Sequence, residues 1–518
     1  MRRDDQTVSL SVWLGFATMC LGMFMAILDI QVVATSLPTI QKALDVQPDQ
    51  LSWVQTAYLI AEIIAIPLTG FLTRALTTRW LFVSAISVFT LASAGCAASQ
   101  TFESLIAFRV LQGFSGGTLI PAVFSVVFLL FPFRLQGVAT TIAGVLAVLA
   151  PTVGPIVGGW ITQTYSWHWL FLINILPGAV AAVGGAVFLV RENTYLRSLR
   201  AVDGVALLLM AIALASLEIG LKQAPDRGWA SPLVLSLLAV SVVSAAGFIG
   251  RSTGARRPIV ELRTLRDRNF AIGCALSFVL GIGLFGSVYL MPVFLAFVRG
   301  HNALQIGEIM LVTGVAQLAT APIAVALERR VDARLLTGFG FLLFGLGLGM
   351  SAFETTQTDF GQMVWPQIVR GVAIMFCLLP PTRMALGRLE AAQVPDASGL
   401  FNLMRNLGGA IGLALIDTVI YGRAPTLAAQ IVKRLQQGDV DTARAVGIPV
   451  ALFKAQGRAP LDPDTAAMLR PMVAHLSLAQ AMNEAWALVA VLTLIALLAV
   501  PFAKPERRAP SGADPAVE

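Results

Sequence analysis

Charge is what this sequence has least of. Only 13% of its residues are Asp, Glu, Lys or Arg, about half of the roughly 25% that a water-soluble chain carries. By contrast 57% are hydrophobic, and the mean hydropathy is +0.78. Over 518 residues that balance leaves apolar length for on the order of a dozen or more crossings of about 20 residues each, and little for a separate water-soluble domain. A soluble enzyme, a nucleic-acid binder and a single-span receptor are all disfavoured. The net charge of +7 is then read as loop orientation rather than as a call for an acidic partner. Histidine and cysteine are scarce as well. His168, His301 and His475 stand at no metal-ligand spacing, and Cys20, Cys96, Cys274 and Cys377 each sit singly in an apolar run. Neither a metal site nor a disulfide framework follows, and the cysteines read as small packing residues. No Gly-x4-Gly-Lys-[Ser/Thr] loop occurs, which disfavours direct ATP drive. Gly113-Phe-Ser115-Gly-Gly117 matches a nucleophile elbow in letters, but it lies inside an apolar helix instead of a strand-turn-helix. The expectation is a polytopic membrane protein with no enzymatic centre, no cofactor and no metal.

What is present is a series of apolar windows bounded by charge, Pro and Gly. They predict fourteen spans, near 11 to 36, 50 to 73, 80 to 99, 103 to 130, 137 to 161, 168 to 190, 202 to 221, 232 to 250, 269 to 297, 303 to 327, 333 to 352, 361 to 387, 398 to 421 and 484 to 503. Arg2 and Arg3 before the first window mimic a secretory signal. The stretch runs on to Leu37 and Pro38 without a small-residue cleavage site, so it reads as a retained span. Lys/Arg alternation tests the count, because a missed span scrambles it. With the N-terminus inside, the inner segments hold Arg2, Arg3, Arg74, Arg79, Arg134, Arg191, Arg197, Arg200, the cluster from Arg251 to Arg268, Arg329, Arg330, Arg334, Arg383, Arg388, Lys504, Arg507 and Arg508. The short outer loops hold only Lys42, Lys222, Arg227 and Arg299. Both termini are therefore expected in the cytoplasm. A long outer segment, 422–483, escapes the rule because long loops translocate regardless of charge. Its pieces Leu427 to Leu435 and Ala466 to Leu478 have helical apolar spacing, and it reads as a solvent-facing lid, with an adaptor-docking cap as the alternative.

An ionisable group near the bilayer centre costs roughly 2.5 to 3.5 kcal/mol even on the lenient insertion scale. Asp29, Glu62, Arg109, Arg370 and Arg405 lie well inside spans. Glu218, Glu308 and Asp417 lie nearer the ends and read as interfacial charges that snorkel to water. Asp29 and Arg109 fall at matching depth, roughly 10 Å below the outer surface, so they are placed to pair. A carboxylate whose guanidinium engages and disengages takes up and releases a proton; a static ion pair joining spans 1 and 4 is the competing reading. Gln55, Tyr58 and Glu62 share one helical face, with Glu62 either a second proton or cation site or a packing hydrogen bond. Gly154, Pro155, Gly158 and Gly159 in span 5 combine a small-residue contact face with a bending proline. Arg109 and Arg370 recur at similar depth on spans 4 and 12, each followed by proline, as parallel repeats require. The predicted organisation is an N-terminal six-helix bundle over 1–190, a linker with two inserted spans over 191–268, a C-terminal six-helix bundle over 269–503 that includes 422–483, and a cytoplasmic tail over 504–518.

Several stretches carry a family resemblance. Leu28-Asp29-Ile-Gln-Val-Val-Ala-Thr-Ser-Leu37-Pro38 resembles the first-span acidic motif of the fourteen-span drug:proton antiporters of the major facilitator superfamily, the EmrB/QacA type. Phe108-Arg109-Val-Leu-Gln112-Gly113 is similar to the superfamily's fourth-span motif, whose Arg is implicated in proton coupling. Gly154-Pro155-Ile-Val-Gly158-Gly159 resembles its antiporter motif, Trp167 to Gly178 its sixth-span signature, and Asn402-Leu-Met-Arg405-Asn406-Leu-Gly408-Gly409 a motif near the start of the penultimate span. The loop between spans 2 and 3 departs. Where the superfamily reads Gly-x-Leu-Ala-Asp-Arg-x-Gly-Arg, this chain has Gly70-Phe-Leu72-Thr73-Arg74-Ala75-Leu-Thr77-Thr-Arg79, so the usual acidic latch is Arg74 and the second glycine is Thr77. Either other groups build the latch or the inner gate is looser.

The resemblance implies an all-α major facilitator fold in a bacterial inner membrane that exports drugs or other amphipathic small molecules by alternating access, driven by inward proton flow. Asp29, Arg109 and Glu62 are the candidate proton-coupling residues, and the resemblance further implies a periplasmic adaptor and outer-membrane channel as partners that members of this type can use. Met25, Gln55, Tyr58, Gln112, Phe114, Tyr289, Arg370, Asn402 and Arg405 are candidates for the substrate cavity, supplying flexible, aromatic and polar surface. A dedicated exporter of one metabolite, such as a siderophore or toxin, is the alternative; a non-transporting sensor or membrane enzyme is a remote one.

Overall fold

The computed structural model describes residues 8–34, 37–44, 53–191, 203–255, 258–328, 330–449, 453 and 463–504. Of the cations used to orient the chain, Arg2, Arg3, Arg197, Arg200, Arg256, Arg257, Arg329, Arg507 and Arg508 lie outside these residues.

Most of these helices are apolar around nearly their whole circumference, as helices in a membrane are. Their ends are fixed by short polar side chains. Thr101 and Ser104 form a reciprocal capping box before span 4, and Asp359 and Gln362 form another before span 12. Asp203 and Asp267 cap spans 7 and 9. Among the described residues thirteen helices are long and apolar enough to cross a membrane. One of them, Trp53–Ala97, has 45 residues, about 68 Å at the helical rise and roughly twice the hydrocarbon thickness. It breaks at Thr77 and supplies both span 2 and span 3, which gives the fourteen crossings expected.

The spans are Leu10–Ala34 (1), the two arms of Trp53–Ala97 (2 and 3), Phe102–Leu130 (4), Phe133–Thr164 (5), and Trp169–Leu172 with Ile175–Phe188 (6). The inserted pair is Gly204–Arg227 (7) and Pro232–Gly254 (8). The rest are Arg268–Phe297 (9), Ala303–Glu328 (10), Ala333–Met350 (11), Phe360–Leu386 (12), Val394–Gln436 (13) and Pro463–Ile495 (14). Spans 1 to 6 share a core built on Phe16, Met23, Tyr58, Phe82, Phe89 and Phe124, and spans 9 to 14 share one built on Phe294, Phe341, Phe344 and Trp486. Spans 7 and 8 pack on each other, and span 7 also touches spans 2 and 13, so the inserted pair lies along one edge of the seam between the halves.

The segment 422–483 differs from a plain loop. Span 13 continues as helix to Gln436, a short helix Val440–Val446 follows, and the last long helix already begins at Pro463. These pieces enclose their own small core of Ile431, Leu435, Ala443, Val446, Val473 and Leu476. That core is why the helices persist here: apolar side chains of 427–435 pack against those of 472–476.

Thr77 has φ 70° and ψ 159°, the one non-glycine residue with positive φ among the described residues. That region is essentially reserved for glycine, and a β-branched residue there costs on the order of 1 to 3 kcal/mol. The sharp turn between spans 2 and 3 demands this backbone, which explains why a glycine is at home in the corresponding loop. Replacing Thr77 by Gly is expected to raise the thermal unfolding midpoint, with a stabilisation of about 1 kcal/mol or more. Thr77→Ala, which keeps a Cβ at positive φ, is expected to give no such gain. Equal midpoints for the Gly and Ala variants in detergent would contradict the strain at this turn.

Candidate functional site

The site begins with two helices that touch backbone to backbone. A Cβ at Gly113 would lie 2.8 Å from the Tyr58 carbonyl carbon, and one at Gly117 would lie 3.0 Å from Glu62 Cα, so only glycine lets spans 2 and 4 approach this closely. The approach carries Arg109, one turn before Gly113, across onto span 2. Its Nε donates to the Val54 carbonyl at 3.0 Å, and its guanidinium lies over the Tyr58 ring at 4.4 Å from the centroid.

From that position Arg109 Nη1 donates to Asp29 Oδ2 at 2.5 Å and to Gln112 Oε1 at 2.9 Å. Asp29 Oδ1 accepts from Asn174 Nδ2 at 2.8 Å and Gln112 Nε2 at 3.1 Å. Ser93 Oγ in turn accepts from Gln112 Nε2 at 2.8 Å. Asp29, Arg109 and Gln112 are all 0% exposed. The network therefore joins spans 1, 2, 3, 4 and 6 through one buried carboxylate that acts only as an acceptor, the role of its ionised form. Removing either charge would leave the other buried and uncompensated, a change that typically costs 3 to 5 kcal/mol in such pairs. Span 6 breaks at Ile173–Asn174 between its two helical pieces, and that break presents Asn174 to the acid. Ser93 carried no signal in the sequence, since a lone Ser in an apolar helix usually bonds its own backbone, as Ser93 also does to Phe89.

Asp29 and Arg109 sit behind, not on, the wall of the main cavity. That cavity, about 440 Å³ and of a size to hold a drug-like molecule, lies between the halves. It runs from the middle of the bundle toward the end opposite the termini. Its wall is mostly apolar: Ile27, Ile30, Leu59, Pro151, Pro155, Leu284, Phe285, Pro292 and Leu413 among others. The polar groups on it are Gln31, Gln55, Glu62, Glu218, Tyr289, Arg405 and Asn406. Of the residues expected to line a cavity, Gln55, Tyr289 and Arg405 do so, as does Glu62. Tyr289 donates to Asp417 at 2.7 Å.

The others lie elsewhere. Tyr58 turns away from Glu62 to stack under Arg109, its hydroxyl donating to the Ala26 carbonyl at 3.1 Å. Gln112 is part of the Asp29 network, and Met25 is packed in the first core. Phe114 is 42% exposed on the outside of the bundle, because span 4 presents its glycine face, not Phe114, to span 2. Asn402 donates to the Ser398 carbonyl and accepts from Arg405, and Arg370 is buried on Met291 and Trp486. Glu218, which the sequence places near a span end, instead reaches the cavity because span 7 is wedged against spans 2 and 13. Lys222, one turn on, donates to Thr56 of span 2, and Trp229 Nε1 donates to Thr418 of span 13 at 2.9 Å.

Pro155 bounds the cavity, while Gly154, Gly158 and Gly159 of the same helix are buried. A Cβ at Gly154 would run into the Gln31 side chain, so the glycine sets the spacing of spans 1 and 5. The helix itself continues without a break through Pro151 and Pro155.

At the terminus-bearing end the two halves are in contact. Arg74 forms an ion pair with Asp396, which is in the first turn of span 13. A Cβ at Gly70 would lie 2.6 Å from Asp396 Cα, Ser398 Oγ donates to the Pro121 carbonyl at 2.8 Å, and Arg383 lies 4.0 Å over the Phe133 ring. The latch is thus built with its charges exchanged: the cation comes from the loop between spans 2 and 3 and the acid from the other half. Arg74→Asp and Asp396→Arg are each expected to lower the unfolding midpoint, and the double exchange to recover most of the loss. The pair's coupling in a double-mutant cycle should be about 0.5 kcal/mol or more. Strict additivity of the two single changes would show that the contact carries no weight.

Comparison with known proteins agrees with this arrangement. The family model "Major Facilitator Superfamily" matches residues 19–413. The chain is 40% identical over 411 residues to "Colistin resistance protein EmrB" of Acinetobacter baumannii, covering 79% of this chain and 80% of that protein. It is 32% identical over 428 residues to "Multidrug export protein EmrB" of Escherichia coli K12, covering 82% of each, and 31% identical over 411 residues to "Fatty acid resistance protein FarB" of Neisseria gonorrhoeae, covering 78% and 80%. In fold it matches the crystal structure of the human organic anion transporter MFSD10 (TETRAN), with a TM-score of 0.59 at 15% identity over 94% of this chain and 99% of that one. A fourteen-crossing all-helical bundle, a cavity between its halves and these relatives together place the chain in the Major Facilitator Superfamily, a family of membrane transporters and not of enzymes.

Proposed function

We propose that the protein exports drugs or other amphipathic small molecules across the bacterial inner membrane in exchange for protons, needing no cofactor. The observation that carries this reading is the buried Arg109–Asp29 pair, at 2.5 Å, held against the same span 2 that lines the cavity through Gln55, Leu59 and Glu62. Span 2 couples the two sites: its backbone accepts from Arg109 at Val54, and Glu62 faces the substrate space two turns on. A shift of span 2 against span 4 within their half, accompanying the rocking of the halves, would pull the Val54 carbonyl and the Tyr58 ring from the guanidinium, loosen its hold on Asp29, and let the carboxyl take a proton. Re-engagement of Arg109 expels the proton again. An O–H bond forms on Asp29 with a proton taken from hydronium on one side of the membrane, and it breaks when that proton passes to water on the other.

In this reading the Lys/Arg-rich, terminus-bearing end is cytoplasmic. The Arg74–Asp396 latch closes that side and the cavity is poised toward the periplasm. The two acids Glu62 and Glu218 in an apolar wall suit a cation with a bulky apolar body. We divide the chain functionally into the halves 1–190 and 269–503, with the inserted pair over 191–268 shaping the cavity through Glu218. A periplasmic adaptor leading to an outer-membrane channel belongs to the same reading. The helical extension of spans 13 and 14, with an apolar groove of about 680 Å³ between Tyr421 and Leu478, supports it.

In proteoliposomes containing a proton-sensitive dye, a panel of lipophilic cations is expected to drive proton movement through the wild-type protein. Asp29→Asn should abolish that exchange, and Glu62→Gln should weaken cationic substrates more than neutral ones. Wild-type exchange by Asp29→Asn would overturn the coupling role, and absence of flux for every compound in the wild type would overturn export.

A further inference from the structure

The C-terminal half contains a second buried guanidinium whose surroundings differ from those of Arg109 in one respect. Arg370 in span 12 is 2% exposed and lies 4.8 Å over the Trp486 ring of span 14, as Arg109 lies over Tyr58. Span 9 is the counterpart of span 1, yet Arg268–Phe297 contains no Asp or Glu. What Arg370 Nη2 meets there is Met291 Sδ at 3.8 Å, and its Nη1 has no hydrogen-bond partner. A guanidinium cannot be deprotonated in a protein, so this charge needs an anion from somewhere else.

The acid that faces it is Glu354, the first residue after the short 3₁₀ turn Ser351–Phe353 that ends span 11. Glu354 is 8% exposed, although the segment containing it is a loop. Its backbone is tied in place: Asn483 Nδ2 of span 14 donates to the Glu354 carbonyl at 2.7 Å. Its carboxyl is buried against the Trp486 indole N–H and the Ser351 hydroxyl, two donors that favour the carboxylate. Among the described residues Arg370 is the charged group facing this carboxyl; the neighbours from the turn and from span 14 are Ser351, Asn483 and Trp486, all uncharged. The acid and the guanidinium thus share the Trp486 side chain as a neighbour, and among the described residues no ion pair joins them.

We propose that Glu354 is a proton-binding carboxyl of the C-terminal half, exchanging a proton with the compartment opposite the termini while Arg370 alternates between Glu354 and the Trp486 ring. When the carboxylate takes a proton from hydronium, an O–H bond forms, Arg370 loses its anion and settles over the ring. When the proton leaves to water, the carboxylate recovers the guanidinium. Burial supports the same direction, pushing the Glu354 carboxyl up to about 7 against the opposing pull of Arg370. Glu354 follows the turn that ends span 11, whereas Asp29 is sealed inside its own half. The binding event stands apart from transport; its contribution to exchange rests on the antiporter reading above.

The test is difference infrared spectroscopy of the purified full-length protein in liposomes, stepped between pH 6 and pH 8. The wild type should show a protonated-carboxyl C=O band that changes roughly tenfold over this range. Glu354→Gln should lose that component while Asp29→Asn keeps it, and Glu354→Asp, which retains a carboxyl, should keep a titrating band at a displaced midpoint. Trp486 fluorescence, isolated as the difference between wild type and Trp486→Phe, should follow the same titration. In the flux assay Glu354→Gln should still exchange substrate, with its rate flat within about twofold between outer pH 6 and 8, where the wild type varies severalfold. A titrating band and pH–rate profile unchanged in a folded Glu354→Gln protein would overturn this site while leaving export untouched. Loss of all exchange in the wild type would overturn export and leave the infrared result to decide this site alone.

Discussion

Two opposite charges withdrawn from water together, Asp29 and Arg109, set the terms for the N-terminal half. Neither can be buried alone at tolerable cost, and the surrounding helices supply partners to both. Glycines at 113 and 117 bring span 4 against span 2, a break in span 6 presents Asn174, and Gln112 bridges to Ser93 on span 3. The contacts that steady the carboxylate come from spans 4 and 6, and the span 4 groups are tied in turn to spans 2 and 3. The cavity between the halves is lined by the same span 2, through Gln55, Leu59 and Glu62, and not by the pair itself.

The closed end obeys a similar economy. A positively charged loop between spans 2 and 3 needs an acid across the seam, and Asp396 supplies it at the start of span 13. Reversing the polarity preserves the attraction while moving the acid to the other half. The residues that meet there also include Gly70, whose missing side chain makes room for the Asp396 backbone. Opening this end must therefore break an ion pair and separate closely packed backbone, so the conformational barrier resides in named contacts and not in general flexibility.

The fold was legible because bilayer physics is simple: apolar windows of the right length, alternating loop charge and an even count of crossings leave few architectures. The exceptions come from geometry that a window does not contain. The turn at Thr77 is so tight that spans 2 and 3 follow each other with no intervening loop, and the described parts of segment 422–483 form helices because their apolar faces find each other. Depth along a helix was also legible, and it placed Asp29 level with Arg109. Rotation about the helix axis was not. Tyr58 and Glu62 share a helical stripe in sequence, yet packing against Arg109 turns Tyr58 to the network while Glu62 stays on the cavity. Glu218 looked interfacial because its depth was judged from span 7 alone, whereas its place on the cavity depends on span 7 being wedged beside spans 2 and 13. Ser93 and Glu354 gain their roles only from neighbours distant in sequence.

The claim that joins these features is that the Asp29 carboxyl changes its proton occupancy as the substrate space is filled. The most direct measurement is proton release from purified, weakly buffered protein on addition of a lipophilic cation that it transports, followed with a pH indicator. Release by the wild type and none by Asp29→Asn is the predicted result. Equal release by both proteins would contradict it.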